Sequence, residues 1–143
     1  MNQEIPNKRS GLLAGGNWII DQVKMIDVYP GHEQLANISG QSQGTGGSPY
    51  NVLLDLAKLG ADFPLIGAGL VGQDALGEYI LDDCRSNNID PAFISVSPGT
   101  STSYTDVMTE IEGGRRTFFH NQGANATWNG SDIDFSGSNA RIF

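Results

Sequence analysis

The stretch Thr45-Gly46-Gly47-Ser48-Pro49-Tyr50-Asn51 restricts this chain more than any other. Two adjacent glycines let backbone or ligand approach with no Cβ in the way. Ser48 is a good N-cap, and Pro49 suits the first helical position. Val52, Leu53, Leu56, Ala57 and Leu59 follow at helical spacing, with Asp55 and Lys58 on the other face and Gly60 as the stop. The spacing predicts a helix whose N-terminus abuts the glycine pair. Free N–H groups and the helix dipole at such an end favour oxygen-rich ligands. Asn51, in the first turn, can both donate and accept hydrogen bonds, as a sugar hydroxyl does. The same residues also fit a surface helix with a glycine-rich entry turn, and this stretch alone does not separate the two.

A length of 143 residues suits one domain with a real core. The 19 glycines are scattered rather than periodic, which fits an α/β chain with many tight turns. A net charge of −8 argues against a nucleic-acid partner and against an anionic membrane surface. It does not oppose a nucleotide, since local N–H groups hold phosphate even on an acidic protein. Cys84 is the only cysteine, so an intrachain disulfide is excluded and a reducing, cytoplasmic setting is expected. Leu12 to Ile20 is interrupted by Gly15, Gly16 and Asn17 and makes a poor signal-peptide core. The Asn-x-Ser/Thr triplets at Asn37, Asn125 and Asn129 read as chance.

In chain order, Met1 to Ser10 is polar and expected to be loose. Gly11 to Ile20 reads as one buried strand. It brings Asn17 and Asp21 to a strand end, where open α/β sheets place ligands. Val23 to Tyr29 alternates, turns at Pro30-Gly31, and is followed by a polar strand over Ala36 to Gln43. Such a polar hairpin reads as a flap or interface element. His32, in the turn, is assigned no role.

Phe63 to Ile66 is a further strand, followed by Gly67-Ala68-Gly69-Leu70-Val71-Gly72. This matches G-x-G-x-x-G, and Asp90 lies near the spacing of a ribose-binding acid. A dinucleotide site is therefore a rival reading. Against it stand the earlier strand and helix, and Asp74, an N-cap carboxylate where a pyrophosphate would sit. Ala75 to Ser86 is a helix with Leu76, Ile80 and Cys84 on one face, which makes Cys84 a small buried hydrophobe. Phe93 to Val96 is a short strand. Thr102 to Ile111 and Arg115 to His120 form a hairpin around Gly113-Gly114. His120 reads as a half-buried strand-end histidine, with a ligand-facing alternative. Asp132 to Asn139 reads as a loop with one helical turn. Arg141-Ile142-Phe143 begins an apolar strand, so the sequence is expected to stop short of a full domain.

Taken in order, these stretches resemble the ribokinase-like (PfkB) family of sugar and nucleoside kinases. Gly16-Asn17 with Asp21 resembles the family's first substrate turn. Gly46-Gly47 with Asn51 and Leu56-Ala57-Lys58-Leu59-Gly60 is similar to its N-terminal signature. Gly69-Leu70-Val71-Gly72-Gln73-Asp74 with Gly77 resembles its G-x-x-G-x-D-x-x-G element. Thr102 to Gly123-Ala124-Asn125-Ala126 resembles its lid hairpin and G-A-N-A turn.

The resemblance implies a three-layer α/β/α sandwich, incomplete here, with a small β-sheet lid. Residues 11–143 would be the N-terminal part of the kinase domain, with lid segments at about 22–44 and 100–121. It implies sugar-binding roles for Asn17, Asp21, Gly46, Gly47 and Asn51, and lid contacts from Tyr104, Phe119 and Asn121. A homodimer through the lid is implied as well, as are ATP and Mg²⁺. Their site is expected outside this chain. The family's catalytic Asp follows a late G-A-G, whereas Gly67-Ala68-Gly69 precedes Leu70 and lies too early. Ser48 stands where many ribokinase-like members carry Lys, which disfavours ribose itself. The expected function is the substrate-and-lid half of an ATP-dependent sugar kinase, inactive alone. The alternatives are a non-catalytic sugar or nucleoside binder, and a dinucleotide-binding oxidoreductase fragment using Gly67, Gly69 and Gly72.

Overall fold

Strand β4, Leu65–Gly72, is buried along nearly its whole length and is the middle of a three-stranded parallel sheet. The computed structural model describes residues 9–131 and 133–143. Most of the expected loose N-terminus, and Asp132 in the expected loop, lie outside them. Strands β1 (Leu12–Gly15) and β5 (Ile89–Ser97) flank β4, in the order β1-β4-β5. A strand buried on both faces reads as a continuous apolar run, as Leu65-Ile66-Gly67-Ala68-Gly69-Leu70-Val71 does. Ile142 adds a single parallel bridge beside Leu12.

Helices α1 (Ser48–Lys58) and α2 (Ala75–Ser86) enclose the main core with Trp18, Ile20, Tyr50, Leu53, Val71, Ile80 and Ile94. A smaller cluster joins Leu13, Ala68 and Ala140 to Phe93 and Phe135. Cys84 is fully buried in the main core, and burial pushes its thiol up to about 12. It packs there as the small hydrophobe expected. No described helix is long and apolar enough to cross a membrane.

The second sheet has four strands, β2 (Ile19–Ile26), β3 (Ile38–Gly46), β6 (Tyr104–Glu110) and β7 (Arg116–Asn121), in the order β3-β2-β6-β7. The outer pairings are antiparallel, while β2 and β6 run parallel. The single strand expected over Gly11 to Ile20 is thus two strands in two sheets. The chain leaves the first sheet at Gly15 and enters the second at Ile19.

Trp18, in the crossing, explains the break. It is fully buried, and its indole N–H donates to the Ala68 carbonyl at 2.8 Å. A Cβ on Gly67 would lie 2.8 Å from the Trp18 ring, and one on Gly69 would collide with it outright. The G-x-G-x-x-G look-alike is therefore part of a buried strand with a tryptophan against its glycines, not a loop between strand and helix. This overturns the dinucleotide reading. The other positions of that stretch also have structural roles. Gly72 packs against the backbone of Thr100 to Thr102, and Gly77 abuts the Gly72 carbonyl. Asp90 accepts the Ala92 N–H at 3.0 Å, a local turn contact.

Two helix details differ from expectation. The N-cap of α1 is Gly47, with no side-chain cap, and Ser48 is the first helical residue. On the expected apolar stripe, Val52 and Leu59 are exposed, while Pro49, Tyr50 and Leu53 face the core. The stop is as expected. Gly60 N–H bonds to the Ala57 carbonyl and Ala61 N–H to that of Leu56, the paired bonds of a Schellman end.

Asp74 caps α2 and does more. Its carboxylate accepts from the Gly77 N–H at 2.9 Å, the Thr102 N–H at 2.8 Å and the Thr102 hydroxyl at 2.6 Å. Thr102 Oγ1 in turn accepts the Gly72 N–H at 2.9 Å. This knot ties the end of β4, the start of α2 and the approach to β6. Burial pushes the Asp74 carboxyl up, but the hydrogen bonds from Thr102, Gly77 and Leu76 outweigh it and hold the group below the usual range.

Two outcomes are expected. Gly69→Ala should lower stability by about 1–3 kcal/mol through overpacking against Trp18. Gly40→Ala, whose Cβ would meet only Met25 at 3.9 Å, should be far milder. Urea midpoints compare the two. Asp74→Ala should cost about 0.5–2 kcal/mol at neutral pH through the lost cap. Because its folded pKa is lowered, the ionised group's contribution is complete above the ordinary value of about 3.9 and fades as pH falls below it. The gap between wild type and variant should narrow there in acid titrations of unfolding.

Candidate functional site

Strand register brings four residues into one row. Asp21 on β2 lies opposite Gly44 on β3 and Thr105 on β6, and Thr105 lies opposite His120 on β7. Directly paired residues share a face of a sheet. The row Gly44, Asp21, Thr105, His120 therefore crosses one face. Thr105 Oγ1 and His120 Nδ1 are 2.9 Å apart.

The glycines at 44 and 46 shape the ground beside Asp21. A Cβ on Gly46 would collide with the Asp21 carboxylate, and one on Gly44 would meet open space. Gly47 is required more strictly, since its φ is 100° and a Cβ would collide with the Asn17 carbonyl. The Asn51 N–H donates to the Gly47 carbonyl at 3.0 Å. Asp21, Gly46, Gly47, Asn17 and Asn51 thus form one contiguous group at the start of α1. Both asparagines are exposed. The helix end beside this group carries no side-chain cap.

The Asp21 carboxyl is raised from its ordinary range by burial, and the neighbouring His120 partly opposes this. A carboxylate drawn away from bulk water binds hydroxyl donors more strongly than an exposed one. Uncapped amides, amide side chains and one such carboxylate can recognise a polyhydroxylated ligand.

The three expected lid contacts, Tyr104, Phe119 and Asn121, line one cavity with Asp106 and His120 and do not lie beside Asp21. Tyr104 pairs with Asn121 and Asp106 with Phe119, so Tyr104, Phe119 and Asn121 occupy the opposite face from Asp21. Tyr104 packs against the main core. Phe119 borders an apolar depression with Ile26, Tyr29, Ile38 and Met108. The Asn121 side chain accepts the Gly123 N–H at 2.9 Å. The physical reason is the two-residue period of a strand, since a shift of one position reverses the face.

The sequence does not single out Thr105, gives His120 only a ligand-facing alternative, and shows Asn125 only as part of the G-A-N-A turn; the structure places all three near Asp21 or Trp18. The Trp18 N–H donates to Asn125 Oδ1 at 3.3 Å, and Asn125 Nδ2 donates to the Trp18 carbonyl at 3.0 Å. Asn125, in the 3₁₀ turn Gly123–Ala126, so fixes the segment between Asn17 and Asp21. Counting alternate residues outward from Asp21 would have found Thr105 and His120, given the strand pairing.

The segment Gly67-Ala68-Gly69-Leu70 does not fit a phosphate cradle. It lies within β4, between β1 and β5, with Trp18 across it. Among the described residues, no group of three or more His, Cys, Asp or Glu side chains converges on a metal position.

Residues 17–140 match the pfkB family carbohydrate kinase description. Over 114 residues the chain is 30% identical to the probable fructokinase-6, chloroplastic, of Arabidopsis thaliana, covering 78% of this chain and 29% of that protein. Among solved structures, ribokinase from Thermotoga maritima superposes with a TM-score of 0.77 at 17% identity, covering 88% of this chain and 41% of the other. Arabidopsis thaliana ribokinase, solved with ribose and ATP, gives 0.71 at 21% identity, covering 81% and 37%. These likenesses identify the fold as that of the ribokinases. The chain spans about 30% of the length of the curated relatives it matches.

Proposed function

The chain belongs to the PfkB family of carbohydrate kinases, and on that premise we propose that it forms the sugar-binding and lid portion of an ATP-dependent sugar kinase. The observation that carries this reading is the Asp21 carboxylate set against Gly46 beside the uncapped end of α1. Asp21 accepts hydrogen bonds from sugar hydroxyls. Asn17 and Asn51 donate and accept at the rim, and the absence of a Cβ at 46 and 47 lets the Asp21 carboxylate and the Asn17 carbonyl sit against this turn. Fructokinases among the relatives favour a ketohexose such as fructose as the sugar. Ser48, in place of the lysine common in ribokinase-like members, favours it over ribose.

The four-stranded sheet, with segments 22–44 and 100–121, serves as the lid in this reading. Closing it over the sugar excludes water that would compete for the phosphoryl group. Pairing of two lids makes a homodimer. ATP with Mg²⁺ supplies the phosphoryl group, and we assign its site to parts of the kinase beyond these 143 residues. The chain alone then binds sugar and transfers nothing. The buried, unpaired Cys84 suits a reducing cytoplasmic setting.

Calorimetry with D-fructose tests the binding role. Asp21→Ala removes charge-assisted hydroxyl bonds contributing on the order of 1.5–3 kcal/mol each. Affinity should fall by about 10–100-fold with the melting temperature largely kept. An unchanged affinity would refute the assignment. ATP-dependent phosphorylation of fructose by this chain alone would refute the proposal that it transfers nothing.

A further inference from the structure

We propose that His120, held in place by Thr105, is a further substrate contact that binds a sugar hydroxyl from the β7 side of the site, across from Asp21. The inference rests on the sugar-site reading above and deepens it.

Three observations converge on His120. The register row sets it two strands from Asp21 on the same face, with only Thr105 between them. Adjacent strands lie about 4.8 Å apart, so the two backbones are about 10 Å apart. Thr105 is short and 6% exposed, so it forms a low floor between two longer polar side chains. A ring bearing several hydroxyls fits such a span. Second, the row is open beyond Asp21, because Gly44 carries no side chain and nothing stands where its Cβ would be. Third, the contact between Thr105 Oγ1 and His120 Nδ1 occupies one ring nitrogen. The other, Nε2, remains on an exposed residue. It can donate or accept, as the opposite tautomer requires, and a sugar hydroxyl complements either.

The surroundings agree. Phe118 precedes His120 by two positions, shares its face and is 60% exposed. An exposed aromatic beside polar groups suits the mixed C–H and hydroxyl surface of a sugar. On this reading Thr105 is a positioning residue, acting through the imidazole. His32, the only other histidine, lies in the turn between β2 and β3 and serves as an internal control.

The test uses the full 143-residue chain and D-fructose, with D-ribose as the second probe. In calorimetry, His120→Ala should weaken fructose binding by about tenfold, the loss of one good hydrogen bond. His120→Gln, which still donates and accepts, should recover part of it, and thermal melting should stay near wild type. Thr105→Val should weaken binding while Thr105→Ser keeps it. In NMR at fixed pH, saturating fructose should move the His120 ring resonance and leave that of His32 in place. Wild-type affinity in His120→Ala, or a His120 resonance unmoved at saturation, overturns the inference and leaves the sugar site standing. If the wild-type chain binds neither sugar, the sugar-site reading falls and the role of His120 falls with it.

Discussion

Trp18 lies against β4 with its ring over Gly67 and Gly69 and its indole N–H on the Ala68 carbonyl. This contact decides where the chain can leave one sheet for the other. A tryptophan buries about 150–250 Å², which at about 25 cal/mol per Å² corresponds to an upper bound of about 4–6 kcal/mol. Few single residues in a chain of this size contribute as much. The position of the ring also fixes the backbone on both sides of it. Asn17 is pressed against Gly47, and Ile20, the second residue of β2, has its N–H on the Ser103 carbonyl. Asp21 follows directly. The candidate sugar carboxylate is thus positioned by a hydrophobic contact three residues before it in the chain.

The second sheet is rooted along one end only. Its central parallel strands are anchored where Asn125 brackets the Trp18 peptide and where Asp74 holds Thr102. Ser103 adds a bond from its hydroxyl to the Gln122 carbonyl and receives the Asn125 N–H at 3.1 Å. The far end, near Ile26, Ile38 and Glu110, carries exposed apolar side chains, among them Val28, Leu35 and Ile111. A sheet held at its root and open at its tip has the mechanical form that a cover over a binding site needs. The row of polar residues lies near the root, where position is best defined.

Much of this was legible in the residues because the signals are local. Asp74 before Ala75, Gly60 after the apolar stripe, and Gly113-Gly114 between two alternating runs all act within a few positions, and each does in the structure what its chemistry suggests. The Gly46-Gly47 pair was also legible, although the partner that requires Gly47 is the Asn17 carbonyl rather than a ligand. What was not legible depends on distant contacts. The break at Gly16 follows from where Trp18 finds its glycines, in a strand not yet made when the chain is read forward. Which of Tyr104, Thr105, Phe119, His120 and Asn121 share the face of Asp21 turns on one position of register. That register is set by pairing with β2, and Lys24 meets Asp106 across 82 positions. No short-range rule carries that information. The G-x-G-x-x-G resemblance misled for the same reason, since glycines that admit a phosphate and glycines that admit an indole look alike until the neighbour is known.

The parallel pairing of β2 with β6 also bears on assembly. Loop closure between segments so far apart is entropically costly unless the intervening chain is already compact. Compaction of residues 27–103, which contain both helices and the middle of the first sheet, shortens that closure and favours the approach of Asp21 to Thr105. The site therefore depends on a pairing between segments far apart in sequence. Because Ile20 on β2 and Tyr104 on β6 are partners and both pack in the main core, separating the two strands would loosen that core together with the site.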